Sequence, residues 1–305
     1  MKKFKEILFL KNLKGVGTVS INNKYRDILI QSDDVDELIL KIKKLNSKLE
    51  NKDFEKAKKK TEEIFDYVVN SDIHVITIFD ESYPEKLSVM ENNKPPILYV
   101  KGDVEVLEKS NIVVIGTRNP CELSQNFEEN LVKNTVNLTD KVVISGLALG
   151  CDKIAHQATV DENKITIAVL PSGVDVIKPA KNKNLAEDII KTGGCLVSEF
   201  EPKVNPNRGS YVKRDKIVAA LSDAVFVIEC GIDSGTMHTV NFAGDYKKQI
   251  YAYYPTERPE GLFMGNEHIL KEYDDAIEVE DIEEFINDLN TLSHKQLKTG
   301  QQTLM

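Results

Sequence analysis

The sequence predicts an α/β protein built on a doubly wound, mostly parallel sheet, with a small helical domain before it. From residue 111 onward, short runs of apolar and β-branched residues alternate with stretches long enough for a helix. This is the pattern of a parallel sheet covered on both faces. Before residue 70, apolar residues instead recur at spacings of three and four, as in amphipathic helices. The 305 residues, 41% of them hydrophobic, suffice to bury such a core.

Residues 1–70 are expected to form the helical domain, since Ile39, Ile42 and Leu45 repeat at helical spacing between charged residues. The segment LKNLKGVGTVSI, which starts at Leu10, has the Leu-x-x-Leu-x-Gly-Val-Gly form of a helix-hairpin-helix turn. Glycines in such a turn can expose backbone amides to a DNA phosphate. A tight turn in a helical bundle explains the same glycines, and both interpretations stay open.

Residues 71–286 are expected to form the sheet domain, which is Rossmann-like because its strands alternate with helices. A linker with two β-rich runs, closed by Pro95 and Pro96, leads into it. The predicted strands are NIVVIG, KVVISG, TIAVL, CLVSEF, AVFVIE and QIYAYYP. The apolar QIYAYYP, near the end of the sheet, would suit a homodimer face. Residues 287–305 read as a last helical turn and a polar C-terminal tail.

The net charge of −9 argues against a polyanion as partner, because phosphates are bound by cationic surfaces. The charge is uneven, however. Residues 271–288 carry one lysine against nine acidic residues, whereas residues 41–60 carry nine lysines against three acidic residues. The lysine-rich segment is a candidate DNA-binding surface, although a lysine run at helical spacing also suits a solvated helix face.

The sequence gives no sign of a membrane segment or of a metal site. No apolar run reaches membrane-spanning length, and the basic N-terminus lacks the cleavage site of a signal peptide. The four cysteines lie far apart without a CxxC pair, which indicates neither a zinc site nor a disulfide framework. We therefore expect a cytoplasmic protein.

Small residues and glycines follow nearly every predicted strand. In a doubly wound sheet the ligand lies beyond the carboxyl ends of the strands, where the strand order reverses. Glycine and serine at these turns let backbone N–H groups and helix N-termini meet an anion. The candidate phosphate-binding turns are Gly116-Thr117-Arg118, Ser145-Gly146-Leu147-Ala148, residues 171–173, residues 199–202 and Ser234-Gly235-Thr236. The sequence contains neither GxGxxG after the first of these strands nor GxxxxGK[ST], so we expect no nucleotide cofactor.

Six segments between about residues 70 and 285 follow one another as YPEKLSVMENNKPPILYVKGD, VVIGTRNP, ISGLALGCDKIAHQATV, TIAVLPSGVDVIKPAKNKNLAEDIIKTGGCLVSEFEP, VKRDKIVAALSDAVFVIE and SGTMHTVNFA. In order and spacing they resemble the DNA-processing protein A family (DprA, also called Smf). The helical part is similar to the family's accessory domain, of SAM or helix-hairpin-helix type. The resemblance implies a dimer that binds single-stranded DNA without sequence specificity and loads the recombinase RecA during natural transformation.

Motifs of the family map onto particular residues of this chain. Arg118 matches the arginine of a Gly-Ser-Arg motif, with Thr117 in place of serine, which implies a phosphate contact at the mouth of the pocket. The Ser-Gly-x-Ala-x-Gly-Ile-Asp turn corresponds to the segment from Ser145 to Asp152. Its matching residues are Ser145, Gly146, Leu147, Ala148 and Gly150, with Cys151 in place of isoleucine.

The chain also departs from the family. Where the family has Phe-Pro-x-Arg-Asn-Arg, residues 211–216 keep cations at Lys213, Arg214 and Lys216, which are expected to bind phosphate. Lys216 lacks the guanidinium fork and Asp215 adds a negative charge, so we expect weaker DNA binding. The family's Gly-Ser-Leu-Ile-Thr-Ala becomes residues 235–240, where His238 enters. The family's frequent winged helix is not expected after residue 286.

Two other functions remain open on this fold. Sensors of nucleotide-derived messengers, some in antiphage defence, could use a pocket altered by Asp215 and His238. Nucleotide phosphoribohydrolases carry a glutamate where this chain has Thr239. Asp152 and His156 have the i,i+4 spacing of an acid/base pair, but helix capping and a hydrogen bond explain them without a substrate. We therefore expect no enzymatic activity.

Overall fold

The computed structural model describes residues 1–45 and 49–291, and these contain a nine-stranded sheet. The strands are β1 (His74–Thr77), β2 (Ile97–Gly102), β3 (Asn111–Ile115), β4 (Val142–Ser145), β5 (Thr166–Val169), β6 (Cys195–Ser198), β7 (Ala224–Val227), β8 (Gln249–Tyr253) and β9 (Ile277–Val279). Their order is β1-β2-β6-β5-β4-β3-β7-β8-β9. Neighbours from β6 to β9 in this order pair in parallel, whereas β2 is antiparallel to β1 and β6. The predicted α/β class, mostly parallel sheet and six strands are confirmed.

Helices cover both faces of the sheet. They are α6 (Glu122–Leu138), α7 (Cys151–Asp161), α8 (Lys183–Lys191), α9 (Arg208–Leu221), α10 (Thr236–Asp245), α11 (Met264–Glu272) and a last helix over residues 282–291. Along β3, Val113 and Ile115 join one buried cluster with α9 and α10, while Ile112 and Val114 join another with α6 and α7. Burial on both faces explains why the strands are continuously apolar.

The N-terminal region is helical, as predicted. Its helices are α1 (Phe4–Asn12), α2 (Thr18–Asn22), α3 (Arg26–Gln31), α4 (Val35–Leu45) and α5 (Asn51–Val69). The Gly15-Val16-Gly17 segment turns the chain from α1 into α2. The ring of Phe4 meets Tyr99 of β2 edge-on, with centroids 6.2 Å apart. One buried cluster thus spans the helices and the sheet, and the domain boundary at residue 70 stays a prediction.

Three expectations about the chain need correction or completion. The segment predicted as a linker contributes β1 and β2 to the sheet itself. The prediction that QIYAYYP forms an open face for a homodimer is wrong. This run forms β8, which lies between β7 and β9, and its Tyr251 packs edge-on against Phe285, with ring centroids 5.0 Å apart. Helix extends to residue 291, and the rest of the predicted tail lies outside the described residues.

Strand β9 was not predicted, because it is short and acidic and lacks a run of apolar residues. Its Ile277 and Glu278 side chains are exposed at the sheet edge. The part of the chain described here has no helix with the length and hydropathy needed to cross a bilayer.

Asn266, at the start of α11, joins the ends of two strands. Its side chain is fully buried, and its Nδ2 group donates to the carbonyls of Ile228 and Tyr253, both at 2.9 Å. Its Oδ1 atom accepts from the backbone N–H of Cys230 at 2.8 Å. These bonds fix the loop that follows β7, which contributes to the cleft described below.

We expect Asn266→Ala to lower the free energy of unfolding by about 3 kcal/mol, because it leaves buried carbonyls and a buried N–H without partners. Urea unfolding of the purified protein measures the change. Asn130→Ala, at an exposed position of α6, is the matched control and should change stability by less than about 0.5 kcal/mol. Equal losses in both variants would contradict this role of Asn266.

Candidate functional site

A cleft of about 640 Å³ opens at the carboxyl edge of the sheet, between the ends of β3 and β7. The strand order reverses here, since the chain runs from β3 outward to β6 on one side and then returns to β7 on the other. This is the location expected for a ligand in a doubly wound sheet. The lining residues are Ile115, Gly116, Thr117, Arg118, Ala148, Asp152, Arg208, Tyr211, Val212, Arg214, Asp215, Ser234, Gly235, Thr236, His238 and Thr239.

Part of the predicted phosphate-binding set comes together in this cleft. The predicted residues that line it are Gly116, Thr117, Arg118, Ala148, Arg214, Ser234, Gly235 and Thr236. The predicted residues that do not line it are Ser145, Gly146, Leu147, Gly150, Lys213 and Lys216. Arg208 lines it without having been predicted, although its spacing from Tyr211, Val212 and Asp215 places all four on one helix face.

Hydrogen bonds join the turns after β3 and β7. The Thr236 hydroxyl donates to the carbonyl of Gly116 at 3.0 Å, and the N–H of Thr117 donates to the carbonyl of Glu229 at 2.7 Å. The Thr117 amide is therefore not free to bind an anion. By contrast, the N–H groups of Gly235 and Thr236, at the start of α10, donate to no group in the described chain. The N-terminus of α10 thus presents free donors and a positive dipole end to the cleft.

Residues after β4 support the cleft from behind. The Ser145 hydroxyl donates to the carbonyl of Val114, and Leu147 is fully buried with a φ of 58°. Asn182 holds this turn by donating to the carbonyls of Leu147 and Ala148 at 2.9 and 3.0 Å. Gly150 has a φ of 75°, and a Cβ there would lie 2.3 Å from the Thr117 carbonyl oxygen. Ser145, Leu147 and Gly150 build the turn and do not line the cleft.

The floor of the cleft is a buried ion cluster around Arg214. Its Nη1 atom lies 3.5 Å from Asp152 Oδ2, and its Nε atom lies 3.1 Å from Asp215 Oδ1. A Cβ at Gly146 would lie only 1.2 Å from Nη1. The guanidinium therefore occupies the volume that any other side chain at position 146 would need. Burial raises the pKa of Asp215, and the neighbouring Asp152 charge adds to that rise against the opposing effect of Arg214.

Asp152 and His156 both have local partners. Asp152 Oδ2 accepts from the Ala148 N–H at 3.2 Å, in addition to its ion pair with Arg214. His156 Nδ1 lies 2.8 Å from the Thr166 hydroxyl, and burial lowers the pKa of this imidazole to about 4. His156 is fully buried and does not line the cleft. Within the described ranges, no group of His, Cys, Asp and Glu side chains could hold a metal ion.

The rim of the cleft carries the exposed positive charge. Arg118 and Arg208 are both exposed and pair with no acidic group in the residues that the structure covers. The Arg118 guanidinium lies 5.8 Å from the centroid of the Tyr211 ring. These two side chains can therefore donate hydrogen bonds to phosphate oxygens without first breaking an ion pair.

Helix α9 lies between the basic rim of the cleft and a second basic region formed by Lys213 and Lys216. Lys213 and Lys216 lie on the face next to the cleft-lining face and border a second cavity of about 100 Å³, together with Thr18 of α2.

In the lysine-rich segment 41–60, Lys41, Lys52, Lys58 and Lys60 form ion pairs with acidic side chains. These pairs are typical of a solvated helix face.

Comparison with known proteins assigns the chain to a family. The model of the family described as DNA recombination-mediator protein A matches residues 74–290. The chain belongs to this family. Protein Smf of Escherichia coli is 32% identical over 183 residues, which cover 59% of this chain and 47% of that protein. The chain thus spans about half the length of this relative.

Two solved structures of the family share the fold. DNA processing protein A from Streptococcus pneumoniae superposes with a TM-score of 0.74 at 26% identity, covering 90% of this chain and 94% of that one. DNA processing protein A from Helicobacter pylori, whose structure concerns its single-stranded DNA binding mode, gives a TM-score of 0.65 at 27% identity. That match covers 73% of this chain and 97% of the other. The predicted family resemblance and Rossmann-like fold are confirmed.

We expect Gly146→Ala to lower the free energy of unfolding by about 3 kcal/mol, because the new methyl group must displace the buried Arg214 guanidinium from its acids. Urea unfolding provides the measurement. Gly235→Ala is the matched control, since nothing lies within 4 Å of a Cβ at that position. A Gly146→Ala protein as stable as the control would show that Arg214 can move without cost.

Proposed function

We propose that the chain binds single-stranded DNA in this cleft and holds its backbone without reading a sequence. The observation that carries the proposal is the pair of exposed arginines, Arg118 and Arg208, beside the free N–H donors of α10. Phosphate contacts of this kind position a strand and carry no base information. The Helicobacter pylori relative, which binds single-stranded DNA, supports the same ligand for this chain.

The shape of the cleft favours a single strand over a duplex. Its lining combines charged groups with the Tyr211 ring and the apolar side chains of Ile115 and Val212. Unstacked bases can insert among such groups, whereas a rigid double helix presents only its outer backbone. The predicted site residues outside the cleft have supporting roles. Lys213 and Lys216 extend the positive surface along α9, and Gly146 and Gly150 shape the turn after β4.

We propose that the chain mediates recombination by binding DNA and catalyses no reaction. Loading of a RecA-type recombinase and assembly into a homodimer belong to it as well, supported by membership of the recombination-mediator family. The contacts of Asp152 and His156 favour structural roles for both. Thr239 stands where the phosphoribohydrolases carry glutamate, and its hydroxyl is a poor substitute for a carboxylate in acid/base chemistry.

We expect the purified protein to bind a single-stranded oligonucleotide more tightly than a duplex of the same length. Fluorescence anisotropy at several salt concentrations measures both affinities. Binding should weaken as salt rises, with a log–log slope of about −0.7 for each phosphate contacted. Equal affinity for the two DNA forms, or no response between about 50 and 200 mM salt, would refute the cleft as a single-strand site.

We expect Arg118→Ala to weaken single-stranded DNA binding by about 1 to 3 kcal/mol, as for the loss of a charge-assisted hydrogen bond. Arg118→Lys should recover part of the loss, since it keeps the charge without the planar fork. Arg208→Ala should act like Arg118→Ala. Anisotropy at one fixed salt concentration, with melting curves alongside, compares these variants.

Arg258→Ala serves as the control for both arginines. Arg258 lies outside the cleft and stacks on Tyr254, with its guanidinium 3.8 Å from the ring centroid. Its removal takes away the same charge without touching the proposed site. If all the variants bind like the folded wild type, the rim arginines do not contact DNA.

A further inference from the structure

The floor of the cleft has a surplus of negative charge that a phosphate would not tolerate. Arg214 is the one cation among Asp152, Arg214 and Asp215, and both carboxylates lie against it. Of the lining residues, these two aspartates are the acidic ones. Phosphates are therefore confined to the rim, where Arg118, Arg208 and the start of α10 lie. The floor must accept a different part of a nucleotide.

Asp215 is placed to accept a hydrogen bond from that part. Its side chain is only 10% exposed, and Oδ1 faces Arg214 Nε. Its second carboxylate oxygen makes no hydrogen bond to any group in the described residues, although the side chain borders the cleft. This oxygen is accessible from the cleft, so a ligand that supplies a donor there replaces water with a charge-assisted hydrogen bond.

Tyr211 provides a surface for the same ligand. It precedes Asp215 by four residues on α9, which places both side chains on one face, about one turn or 5.4 Å apart. Both line the cleft. A planar base lying on the tyrosine ring would turn its edge toward the carboxylate, since aromatic rings stack on bases of any kind.

The chemistry of the base edge then decides which bases fit. On the major-groove edge, cytosine presents a C4 amino group that donates to a carboxylate, whereas thymine presents only a C4 carbonyl, which a carboxylate repels, and a methyl group. We propose that Asp215 accepts a hydrogen bond from the amino group of a base held in the cleft, so that the protein prefers amino-bearing bases to thymine. This inference rests on the proposed binding of single-stranded DNA and adds a base preference to a grip on the backbone that is independent of sequence.

Two matched oligonucleotides test the preference. A 20-mer of 5-methyl-deoxycytidine and a 20-mer of thymidine carry the same methyl group and differ in the groups at C4 and N3. Fluorescence anisotropy with the full chain near pH 7 should show about tenfold tighter binding of the 5-methyl-cytosine strand, as for one good hydrogen bond to a base. Asp215→Asn should bring the two affinities within about twofold, because an amide can either donate or accept.

Asp215→Ala and Asp245→Asn complete the series. The alanine variant removes the acceptor outright and should also lose the preference, which keeps the test valid if either Asp215 variant folds poorly. Asp245 is exposed at the end of α10, so its conversion to asparagine removes one negative charge away from the cleft and should leave the preference intact.

The outcomes separate this inference from the proposed function. Tight binding of both strands with equal affinity overturns the base preference and leaves single-strand binding standing. A preference that survives in folded Asp215 variants overturns the assignment to Asp215. If the protein binds a 20-mer of uridine more tightly than the thymidine 20-mer, and binds the deoxynucleotide strands equally, the donor is the ribose hydroxyl. That result overturns the assignment to an amino group of a base. Failure to bind either strand refutes the proposed function and this inference together.

Discussion

The burial of the Arg214 guanidinium at the edge of the sheet is the constraint on which the rest of the site depends. Arg214 is 7% exposed, and a charge in such surroundings is tolerated only when opposite charges offset its lost hydration. Asp152 and Asp215 do this from two different helices. The guanidinium also fills the space in which a side chain at Gly146 would begin. The burial of this cation thus explains why Gly146 follows β4, why Asp152 lies at the start of α7 and why Asp215 lies beside Arg214 on α9.

Because Arg214 is held by its two acids, the charge available to a ligand lies at the rim of the cleft. Arg118 and Arg208 are free of ion pairs in the described chain, and the start of α10 lines the same cleft. The net charge of −9 does not oppose this arrangement. The acidic segment 271–288 surrounds β9, which is separated from β7 by β8. Salt screens charges beyond about 8 Å under physiological conditions, so the local rim outweighs the distant edge.

Most of the sheet could be predicted because its strands are buried on both faces. Such strands read as short apolar runs, and each of the six predicted runs forms one. Prediction missed β9, an edge strand whose exposed side chains carry no apolar pattern. It also took β1 and β2 for a linker, because the segment between them forms a 3₁₀ helix (Glu85–Asn93) and not an α-helix that would mark the alternation. The QIYAYYP run was assigned to an outer face because the helix over residues 282–291, which covers it, was not foreseen beyond one turn.

The site was predicted less completely, because a motif does not separate residues that touch a ligand from residues that shape the turn. Ser145, Leu147 and Gly150 belong to the same motif as Ala148 and Asp152, yet only the last two line the cleft. On α9, helical phase carries the missing information: Arg208, Tyr211, Val212 and Asp215 share one face, and Lys213 and Lys216 share the next.

The departures from the family take on a different meaning in this geometry. At the sequence level, Asp215 was an added negative charge that should weaken DNA binding. In the structure it neutralises a buried cation and leaves one oxygen at the floor of the cleft, below rim groups that remain cationic. A carboxylate in that position opposes a phosphate at the floor but not at the rim. Its effect on binding therefore depends on which part of the nucleotide reaches it, and charge counting along the sequence cannot decide that.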